Sequence, residues 1–238
     1  MAVKIKQRSK LTKEQLAASV ILTGASALRM IRAERRQMGY IGWKDLEPEE
    51  ERRVLRTSSP SAEDIYLPDL VRIGAKSGEV QEDLCLLVGS AAQRRRMPGV
   101  SWSVCSAGLP AGSILEVEPG VYSLSPEALC VAVAREVGCI QAFALAQELC
   151  SKISLSDRGK FLPPYSSPVA NKLAKEKDQP PDVGYFEVEP VLTPERLTDY
   201  LAACKGSDAK RLLRLCPYLS ENLRSPMECI MLALFSLP

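Results

Sequence analysis

The chain has 238 residues, a formal net charge of +2, 46% hydrophobic and 25% charged side chains, ordinary for a globular protein of one large or two small domains. It contains no histidine, which excludes a Ser-His-Asp triad, a Cys-His dyad, an HExxH metal site and a two-Cys, two-His zinc finger. The near balance of charge covers an asymmetry. Residues 1–40 carry Lys4, Lys6, Arg8, Lys10, Lys13, Arg29, Arg32, Arg35 and Arg36 against Glu14 and Glu34, whereas seven acids outnumber Arg52, Arg53 and Arg56 over residues 45–64.

In chain order, LTKEQLAASVIL from Thr12 predicts a short helix ending near Gly24, and a second helix follows over residues 25–36 with Leu28 and Ile31 on one face. Residues 44–64, acidic and broken by Pro48 and SSPS, read as a loop. LCLLV (residues 84–88) is short enough for a buried strand. Residues 100–105 alternate as a half-buried strand should. Residues 114–117 and 121–124 flank Glu118-Pro119-Gly120, which predicts strand, turn, strand. A helix apolar almost all round runs from Pro126 to about Cys150, with a break near Gly138, and belongs in the core. The proline-rich stretch 154–192 reads as linker or insertion, with one candidate strand at Tyr185–Val188. Helices return over 194–203, 208–215 and 226–234.

Helix starts are marked by hydroxyl residues ahead of Pro or Lys and an early Glu: Thr12, Ser125, Thr193 and Ser225. Such a hydroxyl accepts an otherwise unpaired N–H, proline at the first helical position loses no hydrogen bond, and the carboxylate suits the positive end of the helix. The expected class is α+β: N-terminal helices, a small β-sheet with a buried helix, and C-terminal helices. The segments are a basic helical 1–43, an acidic loop region 44–83, a small sheet plus core helix 84–153, a linker 154–192 and a helical 193–238.

The eight cysteines form no C-x-x-C pair, and most sit in apolar runs, so they read as small buried hydrophobes of a reducing compartment. The basic N-terminus has no apolar core of a signal peptide, and polar residues interrupt the most apolar stretch, Ala128–Cys150. The expectation is a cytoplasmic protein that does not engage a membrane.

Few strings carry chemistry. Asp182, Glu187 and Glu189 resemble the acids of a metal-dependent nuclease, but Glu189 stands where such a site has lysine, and acids beside prolines are more often solvated loop. Glu228 has capping-box spacing from Ser225. Cys204, Cys216 and Cys229 are three thiols without a fourth ligand. No cofactor, metal or catalytic residue is expected. The candidates for phosphate contact are Arg29, Arg32, Arg35 and Arg36 on the second helix and the run Arg94-Arg95-Arg96. A solvated face, with the acidic segment folded back on the basic one, is the plainer reading of the same charges. Only 5% of residues are aromatic, too few to interleave stacking platforms for single strands.

Taken together, SALRMIR (Ser26–Arg32), LLVGSAAQRRRMPGVSWSV (Leu86–Val104), LPAGSILEVEPGVYSLSPEALC (Leu109–Cys130), FALAQELC (Phe143–Cys150) and SPMECIMLALFSLP (Ser225–Pro238) resemble an uncharacterised bacterial family. That family is in turn similar to AbiEi-type abortive-infection antitoxins and to the N-terminal part of proteins ending in a Vsr-like endonuclease domain. The resemblance implies that an S-P-x-E helix would open a nuclease-like fold. The chain stops at Pro238, before that core, and Glu228 alone occupies a matching position. The expected function is therefore a non-enzymatic binding or regulatory module, antitoxin-like and DNA-binding, tied to a mobile element or defence system. DNA and a toxin or other protein are the expected partners. The alternatives are a protein-interaction module, with Ile230, Met231, Leu234 and Phe235 as its apolar face, and a truncated metal-dependent endonuclease.

Overall fold

A computed structural model describes residues 19–61, 84–105, 108–155, 185–224 and Glu228. The class is α+β, with helices on either side of a mixed β-sheet in the chain. The chain packs into two compact units that cut across the five segments read from the sequence. Residues up to Ser26 and Trp43–Leu124 form unit one; Ala27–Gly42 and the chain from Ser125 onward form unit two.

Among its described residues, unit one holds a six-stranded sheet and the helix α2 (Pro48–Thr57). Its strands are β1 (Val20–Leu22), β2 (Lys44–Asp45), β3 (Leu84–Val88), β4 (Val100–Val104), β5 (Ile114–Glu118) and β6 (Val121–Leu124), in the order β2-β5-β6-β1-β3-β4. β1 lies between β6, parallel to it, and β3, antiparallel to it, with Leu22 opposite Leu86. This corrects the helix expected from Thr12: its described end, Val20-Ile21-Leu22, is a fully buried strand, and Thr12 itself lies outside the described residues. A short unbroken apolar run suits a strand covered on both faces as well as a buried helix, and sheet pairing decides it. The β5–β6 hairpin turns on Pro119 and Gly120, whose φ of 81° is the left-handed conformation that the third position of a type II turn requires.

The segment expected to be an acidic loop contains a helix, α2 (Pro48–Thr57). Its start has the marks of one: proline in the first turn, Glu49, Glu50 and Glu51 at the positive end, Arg56 in the last turn. Its buried side chains are Val54 and Glu51. The Glu51 carboxylate accepts the Ile114 N–H at 2.9 Å and so fastens the start of β5 to the helix.

Unit two is helical, with a two-stranded ribbon. Its helices are most of α1 (Gly24–Met38), then α3 (Pro126–Glu136), α4 (Cys139–Cys150), α5 (Pro194–Ala203) and α6 (Ser207–Leu215). The predicted caps at Ser125 and Thr193 form, accepting the N–H of Ala128 and Arg196; Thr12 and Ser225 lie outside the described residues. The long apolar helix does break at Gly138, where φ reaches 112°. The two halves, α3 and α4, pack on each other and on α6, burying Leu129, Phe143, Leu145 and Leu149 among other side chains. Strand β7 (Ile153–Leu155) pairs antiparallel with β8 (Tyr185–Glu187). The C-terminal helix expected over 226–234, and its apolar residues, lie outside the described residues except Glu228. Among the described residues, no helix is long and apolar enough to cross a membrane.

Candidate nucleic-acid interface

The arginines singled out in the sequence separate into two sets. On α1, Arg29 is 6% exposed, Arg32 6% and Arg35 1%, with Arg36 half-buried. Arg32 meets Glu148 of α4 in a two-pronged pair, Nε to Oε1 at 2.9 Å and Nη2 to Oε2 at 2.7 Å. Glu148 Oε1 also accepts the Leu155 N–H at 3.0 Å. Burial alone would raise the Glu148 carboxyl, but the charge and hydrogen bonds of Arg32, the Leu155 N–H and the charge of Arg35 outweigh it and hold the group below its ordinary value.

Arg35 donates to carbonyls: Ser151 at 2.8 Å, Glu189 at 3.0 and 3.2 Å, and Glu148 at 3.4 Å. Those of Glu148 and Ser151 stand at the end of α4, a helix with no basic residue in its own last turn, so Arg35 supplies the missing positive charge from another element. Burial lowers its guanidinium to about 10, against the pull of Glu148, which leaves it charged at neutral pH. The phosphate-contact role expected of Arg29, Arg32 and Arg35 is therefore corrected: these side chains are buried, and for Arg32 and Arg35 the donors serve the packing of unit two.

The second set differs. Arg94, Arg95 and Arg96 are all exposed, on the loop leading from β3 to β4 in unit one. The loop is held at its root. The side-chain amide nitrogen of Gln93, ending a 3₁₀ turn over Ala91–Gln93, donates to three carbonyls at the end of α2: Arg56 at 2.7 Å, Ser58 at 3.0 Å and Leu55 at 3.1 Å. Ser59 Oγ donates to the Gln93 carbonyl at 3.2 Å and receives Arg95 Nε at 3.4 Å. Gly89 makes the approach possible, since a Cβ there would stand 2.8 Å from the Leu55 carbonyl oxygen. Arg94–Arg96 thus emerge beside the C-terminal end of α2, where Arg56 is exposed, with Arg52 exposed about one turn before it. Sequence reasoning missed Arg52 and Arg56 because they were counted into an acidic loop; their spacing of four on a helix was the available signal. Nothing in the sequence marks Gln93.

Of the acids of α2, Glu49 is exposed three residues before Arg52. Glu50 pairs with Arg53 at 3.0 Å and Glu51 is buried. Unit two, by contrast, carries an open groove of about 750 Å³ lined by Glu195, Asp199, Glu221, Leu213, Pro217 and Leu219 among others, with no basic side chain in its walls. Three carboxylates in its lining disfavour an anion.

The remaining candidates are placed as follows. Glu187 and Glu189 are exposed, Glu189 lying 3.8 Å from Lys152 Nζ, and Asp182 lies outside the described residues. Glu228 accepts the Arg224 N–H at 2.8 Å, and Ser225, its expected capping-box partner, lies outside the described residues. Cys204 is half-buried, Cys216 is buried, and Cys229 lies outside the described residues. Among the described residues, no group of three or more Cys, Asp or Glu side chains is placed to hold a metal ion. Compared with known proteins, the chain matches no family model, no curated protein and no solved structure.

Proposed function

We propose that the protein is a non-enzymatic binding module that engages the phosphate backbone of DNA through Arg94, Arg95 and Arg96, and that it is an antitoxin-like regulator of a mobile element or defence system, as its resemblance to the AbiEi-type family implies. The observation that carries the reading is the exposure of three consecutive guanidinium groups on a loop anchored at its root by Gln93. Anchoring matters because arginines on a fixed loop lose less freedom on binding than arginines on a loose one. Aromatic side chains are too sparse to favour single-strand stacking, so the duplex backbone is the better fit. We place the protein in the cytoplasm, a reading supported by the cysteines, of which four of the seven described are buried as small apolar side chains.

The test is fluorescence anisotropy with a labelled DNA duplex over a series of salt concentrations. Each phosphate neutralised contributes about 0.9 to the slope of log K against log salt. The variant R94A/R95A/R96A is expected to flatten that slope by about 2.7 if each side chain meets one phosphate. An unchanged slope, or binding that ignores salt, removes this reading.

A further inference from the structure

The reading above uses three arginines, but the clasp around Gln93 brings a second element to the same place. We infer that Arg52 and Arg56 of α2 and the loop Arg94–Arg96 form one continuous phosphate-binding surface, joined by Gln93. This rests on the DNA-binding reading and extends it to residues that the sequence placed in an acidic segment.

The juxtaposition is made by side chains that grip backbone carbonyls. Gln93 Nε2 lies 2.7 Å from the Arg56 carbonyl oxygen, and Arg94 is the next residue along the chain. Ser59, three residues past Arg56, contacts both the Gln93 carbonyl and Arg95. Arg52 and Arg56 are four residues apart on α2, hence on one face and about 6 Å apart along its axis. Both are exposed, as are all three loop arginines. Among the acids of α2, Glu50 is engaged by Arg53 and Glu51 by the Ile114 N–H, while the exposed Glu49, three residues before Arg52, is the one that offsets part of its charge. A helix C-terminus repels anions through its carbonyls. Here the Gln93 amide covers the carbonyls of Leu55, Arg56 and Ser58, so a phosphate approaching Arg56 meets fewer bare oxygens.

The experiment is the same salt titration on full-length protein with three surface variants: R52A/R56A, R94A/R95A/R96A, and R211A/R214A on α6 of unit two as a charge-matched control. The expected result is a slope flattened by about 1.8 in R52A/R56A and unchanged in R211A/R214A. Equal loss in R52A/R56A and R211A/R214A would mean that overall charge alone matters and would overturn the inference. So would a full slope in R52A/R56A alongside a flattened one in R94A/R95A/R96A, which leaves the loop reading intact. No effect of R94A/R95A/R96A sinks the loop reading itself. Gln93 adds a second arm. Q93A is expected to weaken binding about tenfold in the parent protein and by a smaller factor in R94A/R95A/R96A, where only the approach to Arg56 is left to lose, while shifting the melting temperature equally in both. An equal loss of binding with and without the loop arginines would assign Gln93 a merely structural role and overturn its part in the surface.

Discussion

A charged side chain can be buried only where its partners replace the water it gives up. Arg32 and Glu148 satisfy this with two parallel hydrogen bonds, and Arg35 with four contacts to carbonyl oxygens. The value of such a pair lies in its completeness. Removing one partner leaves a buried charge alone and costs about 3–5 kcal/mol, whereas replacing both by apolar groups of similar volume costs far less. R32A should therefore lower the urea midpoint strongly, and R32M/E148L should recover most of the loss; equal destabilisation by both would contradict the account. The pH dependence follows from the same residues. Glu148 is held below its ordinary value, so its stabilisation is present above the unfolded-state carboxyl range and is lost as pH falls through its folded value. Glu51 goes the other way. Burial raises it against the N–H groups of Ile114, Gly112 and Ser113, so its contribution is present at low pH and fades as pH rises through its folded value. E51Q removes this opposing term, and melting temperatures followed from pH 6 downward should fall more steeply in that variant than in the parent protein.

At the scale of elements, what was legible depended on whether the signal was local. The strands over 84–88 and 100–104, the hairpin at Pro119-Gly120 and the capped starts of α3 and α5 are written in short stretches of sequence, and they form as read. The strand Val20–Leu22 was not legible, because its three apolar residues become a strand only by lying between partners 64 and 101 residues away in the chain. The helix α2 was obscured by its own composition: its glutamates and arginines read as solvated charge until Glu49–Glu51 fall in the first turn and Arg56 in the last turn of one helix. β7 was missed for the same reason as β1, since its partner β8 lies beyond a long proline-rich segment. Gly138 was legible as a break, and its backbone shows why. Alanine there would need a φ near 112° and would bring Cβ to 3.1 Å from Gln141 Oε1. G138A is thus expected to cost about 1–3 kcal/mol by chemical denaturation. A neutral or stabilising G138A would mean that α3 and α4 can join without strain.

Across the whole molecule, the described arginines fall into a buried set and an exposed set that composition cannot separate. The arginines of α1, four of them within eight residues, looked like the better phosphate surface, yet Arg32 and Arg35 hold α1 to the end of α4. The run at 94–96 is shorter but faces solvent, and the fold adds Arg52 and Arg56 beside it. Three of the five candidate arginines were therefore visible as a charge run, and the other two appear only when α2 exists and Gln93 joins it to the loop. This division of labour is the central claim, and modification by an arginine-selective dicarbonyl reagent, read residue by residue by mass spectrometry with and without duplex DNA, tests it most directly. Arg94, Arg95 and Arg96 should react readily and be protected by DNA, while Arg32 and Arg35 remain unreactive in both states. Reactive Arg32 and Arg35 that DNA protects, or a loop that reacts equally with DNA present, would contradict it.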